Sequence, residues 1–241
     1  MNKLGESIVK ISIITMVLLF VIFVFIKRFI YFKPQRKFLD SEENYTSFYI
    51  KNIHGWLKKN IESNKIIVYC QGNDNNMSYK QPRIKKLSEL GYTILIFDYS
   101  GFGKSNGIPN EQNLLNDAGT IMAMIYKNYD KNNIVLYGEQ LGSCIATYVA
   151  RQYNINKLIL DDPIEDIKDL LITIPKILKP FFSEFKTSVY FNGFIGKSLI
   201  FYDKTKNYKE LIELSTQNVA CKKNEKHLDI PWNYVKDFIE N

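Results

Sequence analysis

The chain has 241 residues, 46% of them hydrophobic and 14% aromatic, which excludes a disordered protein and leaves material for one sizeable core. Its formal charge of +7 is unevenly spread: in residues 1–37 seven basic side chains face only Glu6, whereas the remaining 25 basic and 24 acidic residues nearly cancel. The body of the chain therefore lacks the basic footprint that phosphate backbones require, and no nucleic-acid partner is expected.

The basic excess surrounds an apolar segment. Ile11 to Ile26 carries no charge over about sixteen residues, which as a helix covers about 24 Å. Lys10 on one side and Lys27 and Arg28 on the other have stems long enough to reach lipid headgroups. A cleaved signal peptide needs small residues after its apolar core, but KRFIYFKP follows here. An uncleaved, single-pass anchor in contact with membrane lipid is expected. The denser basic residues after the span place the large domain in the cytosol by the positive-inside rule. The expected division is an anchor with its basic juxtamembrane segment at 1–38 and an α/β body at 39–241.

Along that body, Phe48–Ile50 and Ile53–Leu57 read as a first hairpin, and the β-branched run Lys65–Cys70 as a buried strand before the turn-prone QGNDNN. Pro82–Gly91 places Ile84, Leu87 and Leu90 at helical spacing between a proline start and a glycine stop. A strand YTILIFDY follows, then a loop SGFGKSNG and a helix from Glu111 to about Tyr129. Strand NIVLYG, a helix from Leu141 to about Tyr153, strand KLILD and a helical stretch from Ile164 to about Leu178 continue the alternation. Ser198–Tyr202, the helix YKELIEL, a short strand at Val219–Cys221 and the helix PWNYVKDFIE complete it. Strands alternating with helices predict a mostly parallel, doubly wound sheet, with the first hairpin as its antiparallel edge. The irregular stretch Lys179–Phe194 is rich in aromatic residues, whose expected role is filling the core.

Two glycine motifs bear on chemistry. GFGKS, Gly101–Ser105, has Asp98 where a phosphate-binding P-loop requires its first glycine, so it is read as a tight strand-to-helix turn. LYGEQLGSC, Leu136–Cys144, brackets Gln140 with Gly138 and Gly142 at another such turn. Glycines there allow a strained central residue to project from the strand end, as a nucleophile elbow requires, although close helix packing explains the same pattern. The cysteines Cys70, Cys144 and Cys221 have neither paired nor metal-ligand spacing, with only His54 and His227 to complete a set. Free thiols in a reducing compartment are expected, and no metal or organic cofactor.

Taken together, IHGWL, GNDNN after a strand, GYTILIFDYSGFGKSNGIP, GEQLGS and the late His227 resemble the α/β-hydrolase superfamily, in particular its membrane-anchored abhydrolase-domain serine hydrolases. The likeness runs from about Phe48 to Ile239. It implies an α/β-hydrolase fold, a nucleophile at Gln140, an oxyanion hole from the backbone of Asn73 and Leu141, a base at His227 and an acid near Asp203. It also implies an acyl or ester ligand. The chain departs from the family in several places. Gln71-Gly72 stands for the HG pair, Ser100 for the arginine of DYRG and Gln140 for the serine. The acid is Asp203, arriving early, or is absent with Thr205 in its place; Asp162 is another acid within the same edge.

A glutamine amide has no proton to lose near neutrality and its oxygen attacks poorly. A catalytically degenerate, membrane-anchored hydrolase fold kept for binding is therefore the leading reading. An esterase or thioesterase with a relocated nucleophile such as Ser143, Cys144 or Ser100 and His227 as base is the second. A membrane-tethered interaction protein is the third, with no protein partner legible.

Overall fold

In the computed structural model the described residues are 3–40, 44–170, 175–203, 205, 208–221, 223–224 and 227–241; of 3–6, 169, 170, 218, 223, 224 and 227 only the backbone is described. Uninterrupted by proline, the apolar N-terminal run forms α1, Lys3–Tyr31, and the apolar residues from Ile11 to Phe20 all face outward. Then come β1 (Lys33–Pro34), β2 (Thr46–Ile50), β3 (Ile53–Lys58), β4 (Ile66–Cys70) and β5 (Asp74–Asn75). A 3₁₀ turn at Met77–Lys80 runs into α2 (Gln81–Glu89), and β6 (Thr93–Phe97), α3 (Glu111–Ile125), β7 (Ile134–Glu139), α4 (Leu141–Gln152) and β8 (Lys157–Asp161) follow. The remainder holds 3₁₀ segments at Ile167–Leu170 and Lys176–Phe182, then α5 (Thr187–Phe191), β9 (Lys197–Asp203), α6 (Lys209–Leu214), β10 (Gln217–Cys221), β11 (Lys223–Asn224), β12 (His227–Leu228) and α7 (Trp232–Glu240).

The main sheet has the order β10-β9-β8-β7-β4-β6-β3-β2. It is parallel except around β3, which pairs antiparallel with β2 and β6, as the hairpin pattern predicts. β4 lies between β6 and β7, so the chain first winds to one side of it and then to the other. Ligands in open α/β sheets bind at this switch point, outside the carboxyl ends of the strands. Period-2 alternation divides the buried residues between two faces: Ile66, Val68 and Leu136 pack among α3 and α4, while Ile67, Tyr69 and Val135 pack among α2 and α7.

Two helix expectations need correction. The stretch from Ile164 to Leu178 is not one α-helix: its described parts are the two 3₁₀ segments, and residues 171–174 lie outside the description. Pro175 and Pro180 lack the N–H donors that an α-helical ladder needs. α3 also ends at Ile125, before Tyr129. The aromatic stretch does fill core, with Phe182, Phe185 and Phe191 buried.

The segment after α1 lies across the carboxyl edge of the sheet. Tyr31 and Phe32 are buried at 2% and 4% exposure, so the end of α1 belongs to the main core. Tyr31 OH donates to the Phe182 carbonyl at 2.6 Å, and Phe32 meets Phe102 and Phe185 edge-on. β1 pairs parallel with β5, the Asn73 amide donates to the Tyr31 carbonyl, and the Arg36 guanidinium donates to the carbonyls of Gly103 and Ser105. Residues 31–39 thus strap the loops that follow β4 and β6.

Candidate active site

Gln140 sits between β7 and α4 with φ 49° and ψ −114°, a left-handed conformation that costs a non-glycine residue about 1–3 kcal/mol. The two glycines explain why the turn persists. A Cβ on Gly138 would lie 2.6 Å from the Gly142 carbonyl oxygen and the Ser143 Cα, and one on Gly142 would overlap the Cys70 carbonyl. α4 therefore starts in direct backbone contact with the ends of β4 and β7. The Gln140 N–H donates to the Asp161 carbonyl at 2.9 Å, and its carbonyl accepts from Ser143 N–H, which ties the elbow to β8 and to its own helix.

The side chain of Gln140 leans over the loop after β4. Its Oε1 lies 3.2 Å from where a Cβ on Gly72 would stand, so the structure brings Gln140 together with the loop that carries Asn73. The Asn73 carbonyl accepts from Lys33 N–H, and its side chain is held by the Tyr31 carbonyl. Leu141, fully buried, is the first residue of α4. The strained turn and its facing loop thus surround a glutamine amide, which has no proton to lose near neutrality.

The neighbouring hydroxyls and thiol are buried or already bonded. Ser143 is buried and donates to the Gly138 carbonyl at 3.0 Å. Cys144 is buried, and burial pushes its thiol well above the ordinary range, away from the reactive thiolate. Ser100 is spent on Asp117: its N–H and hydroxyl donate to the two carboxylate oxygens at 2.6 and 3.0 Å.

The residues expected as acid and base lie farther along the edge. Asp203 ends β9, two strands from β7 and hence about 10 Å across the sheet. Its carboxylate accepts from Thr205 N–H at 2.9 Å, a turn-capping bond. Asp162, in the left-handed region at φ 47°, accepts from Tyr208 OH at 2.6 Å. The His227 backbone pairs with Asn224 in the β11–β12 hairpin, and its side chain lies outside the described residues.

A buried polar layer under the strand ends is illegible in the motif pattern. Glu139 accepts from Tyr69 OH at 2.6 Å and pairs with Lys80 at 3.0 Å; Asp161 accepts from Tyr137 OH at 2.6 Å and pairs with Arg83 at 3.1 Å. Burial lifts Asp161 to about 6 against the pull of Arg83, with Glu139 adding repulsion. Burial would lower Lys80, but Glu139 and Asp74 raise it above its usual value. Lys80 and Arg83 also line a cavity of about 250 Å³ with Tyr79, Asp229 and Trp232. Both cations are already paired with carboxylates, so they pin the 3₁₀ turn and α2 to the ends of β7 and β8 and offer no surplus charge to an anion. The i,i+3 spacing of Lys80 and Arg83 is their one sequence signal.

A second Ser–His–Asp series joins β2 to the loop after β6. Ser47 Oγ lies 2.7 Å from His54 Nε2, and His54 Nδ1 lies 3.8 Å from Asp98 Oδ2, too far for a hydrogen bond. His54 and Asp98 have no exposed surface, so a leaving group has no route to the imidazole. The contact is structural.

Known proteins are similar to this chain in sequence or in fold. An uncharacterized protein, R595, of Acanthamoeba polyphaga mimivirus is 31% identical over 63% of this chain and 62% of its own length. The lysophosphatidylserine lipase ABHD12 of Danio rerio is 30% identical over 47% of this chain and 32% of its own. The chain thus spans less than two thirds of either relative. A solved esterase of Pyrococcus furiosus superposes with a TM-score of 0.68 over 87% of this chain and 97% of that one, at 18% identity, and shows the α/β-hydrolase fold. A family profile described as "Serine aminopeptidase, S33" matches residues 61–229, from before β4 through the elbow to the β11–β12 hairpin, and by that match over most of its length the chain belongs to this α/β-hydrolase family.

Proposed function

We propose that this is a membrane-anchored α/β-hydrolase-fold protein that has lost nucleophilic catalysis and keeps the elbow region for binding. The observation that carries the reading is Gln140 in the strained elbow conformation, its amide oxygen over Gly72. Loss of a triad serine costs about 10⁶ in turnover, and the buried, engaged Ser143 and Cys144 offer no substitute. In this reading Gln140 takes the nucleophile position. Asn73 and Leu141 supply the remnant of the oxyanion hole, and Asp203 and His227 mark the acid and base positions. The glutamine amide offers one acceptor and two donors to a polar acyl or ester ligand.

α1 supports the anchor. Ser7–Tyr31 is long and apolar enough to cross a bilayer, and no residue of its most apolar part is fully buried. We assign residues 1–38 to the anchor and its basic flank and 39–241 to the hydrolase-like body, on the cytosolic side by the positive-inside rule.

The test is fluorophosphonate labelling and ester turnover of the full chain in detergent, beside Gln140→Ser. The native protein is expected to stay unlabelled. Native labelling abolished by Ser143→Ala or Ser100→Ala would overturn the reading and identify a relocated nucleophile. Labelling gained only in Gln140→Ser would establish that the rest of the machinery still assembles.

A further inference from the structure

The 3₁₀ segment Lys176–Phe182 reads KILKPFF. At three residues per turn, Lys176, Lys179 and Phe182 share one side, while Ile177 with Pro180 and Leu178 with Phe181 form the other two. The lysine-bearing side leads inward to the buried Phe182, with Lys179 half-buried above it. The apolar sides face out: Ile177 is 83% exposed, Phe181 64% and Leu178 45%. A solvated segment ordinarily has the reverse arrangement, so this one is patterned for an apolar medium.

Its position beside α1 identifies that medium. The Phe182 ring meets Phe23 edge-on at 5.4 Å, Tyr31 OH donates to the Phe182 carbonyl, and Lys27 pairs with Glu184 at 2.7 Å. Phe23 lies three residues inside the end of the apolar run Ile11–Ile26, about 5 Å by the helical rise. That matches the depth of about 5–10 Å at which interfacial segments bury their apolar faces. Ile108 and Pro109 line an apolar groove with Phe20, Phe23, Val24 and Lys27 of α1.

We propose that Lys176–Phe182 dips into the bilayer that α1 crosses, with Ile177, Leu178 and Phe181 among the acyl chains and Lys176 and Lys179 at the headgroups. The inference rests on α1 being a membrane span. Two attachments, one spanning and one interfacial, fix how the carboxyl edge of the sheet faces the membrane, because tilting the body away from the bilayer at the foot of α1 would pull the apolar side chains into water.

The experiment uses the full chain in phosphatidylcholine vesicles containing phosphatidylserine. Its native cysteines are buried, so a cysteine introduced at an exposed position takes an environment-sensitive fluorophore selectively. Probes go at Ile177→Cys, at Phe20→Cys within the span, and at Ile61→Cys, which is 88% exposed on the loop before β4 at the opposite edge. Lipids carrying a quencher on the acyl chain are expected to remove most emission at positions 177 and 20 and leave position 61 unchanged. Quenching at 20 with position 177 behaving like 61 overturns the dipping element and leaves the span intact. No quenching at 20 overturns the span and this inference with it. Phe181→Cys repeats the measurement on another side of the segment and must agree with position 177.

Discussion

The two ends of the candidate site are held by different means. At the elbow end, backbone packs on backbone: Gly138 and Gly142 leave no room for a methyl group, the strap at 31–39 crosses the facing loop, and buried ion pairs tie α2 and the turn before it to β7 and β8. At the β9 end, Asp203 caps its own turn through Thr205. Elbow geometry is thus tied to the stability of the sheet, whereas the chemistry of a single side chain such as Gln140 is not. The strained turn is set by its neighbours and not by the side chain it presents.

That contrast can be broken by experiment. Removing residues 1–38 is expected to have the largest effect, because it takes Tyr31, Phe32 and Arg36 from the core and its loops. Phe32→Ala alone should cost about 3–5 kcal/mol, read from chemical denaturation of the full chain in detergent. Gly142→Ala, forcing a methyl into the Cys70 carbonyl, should cost about 3 kcal/mol or more and appear as a lowered melting temperature or lost soluble yield.

A smaller effect concerns pH. Asp161 binds its proton more tightly folded than unfolded, since burial holds it at about 6. The folded state therefore carries more protons between about pH 4 and 6, and its Asp161 contribution to stability is present at low pH and declines as pH rises through about 6. Asp161→Asn should flatten this part of the stability profile; an unchanged slope would show that Arg83 keeps the carboxylate fully charged.

Gln140→Gly should raise stability by about 1 kcal/mol, strain relief outweighing the entropy cost of glycine. A loss instead would mean that the glutamine side chain makes contacts worth more than its strain. Asp203→Asn is expected to change stability by less than about 1 kcal/mol. An effect as large as that of Gly142→Ala would abolish the distinction between the two ends.

Much of this was legible beforehand because it is local. Period-2 runs such as Ile66–Cys70, and the glycines around Gln140, carry their meaning within a few residues, so the alternating sheet and the elbow follow from short-range sterics. The break in the stretch from Ile164 to Leu178 was also signalled, by Pro175, but helical spacing of apolar residues does not distinguish an α-helix from successive 3₁₀ turns. The strap was not legible: Tyr31 finds Phe182 across 151 positions and Arg36 finds Ser105 across 69. The Glu139–Lys80 and Asp161–Arg83 pairs were hidden for the same reason.

The sequence by itself determined the α/β alternation, the apolar N-terminal helix, the turn at Gln140 and the absence of a serine there, since each depends on residue type and near-neighbour spacing. Only the tertiary structure decided that Ser143 and Ser100 are already engaged and Cys144 is buried, that the residues at the end of α1 are part of the core, and that an apolar 3₁₀ segment stands beside α1. Burial, pairing and proximity depend on which distant segments share a space, and that is settled when the strands take their order in the sheet.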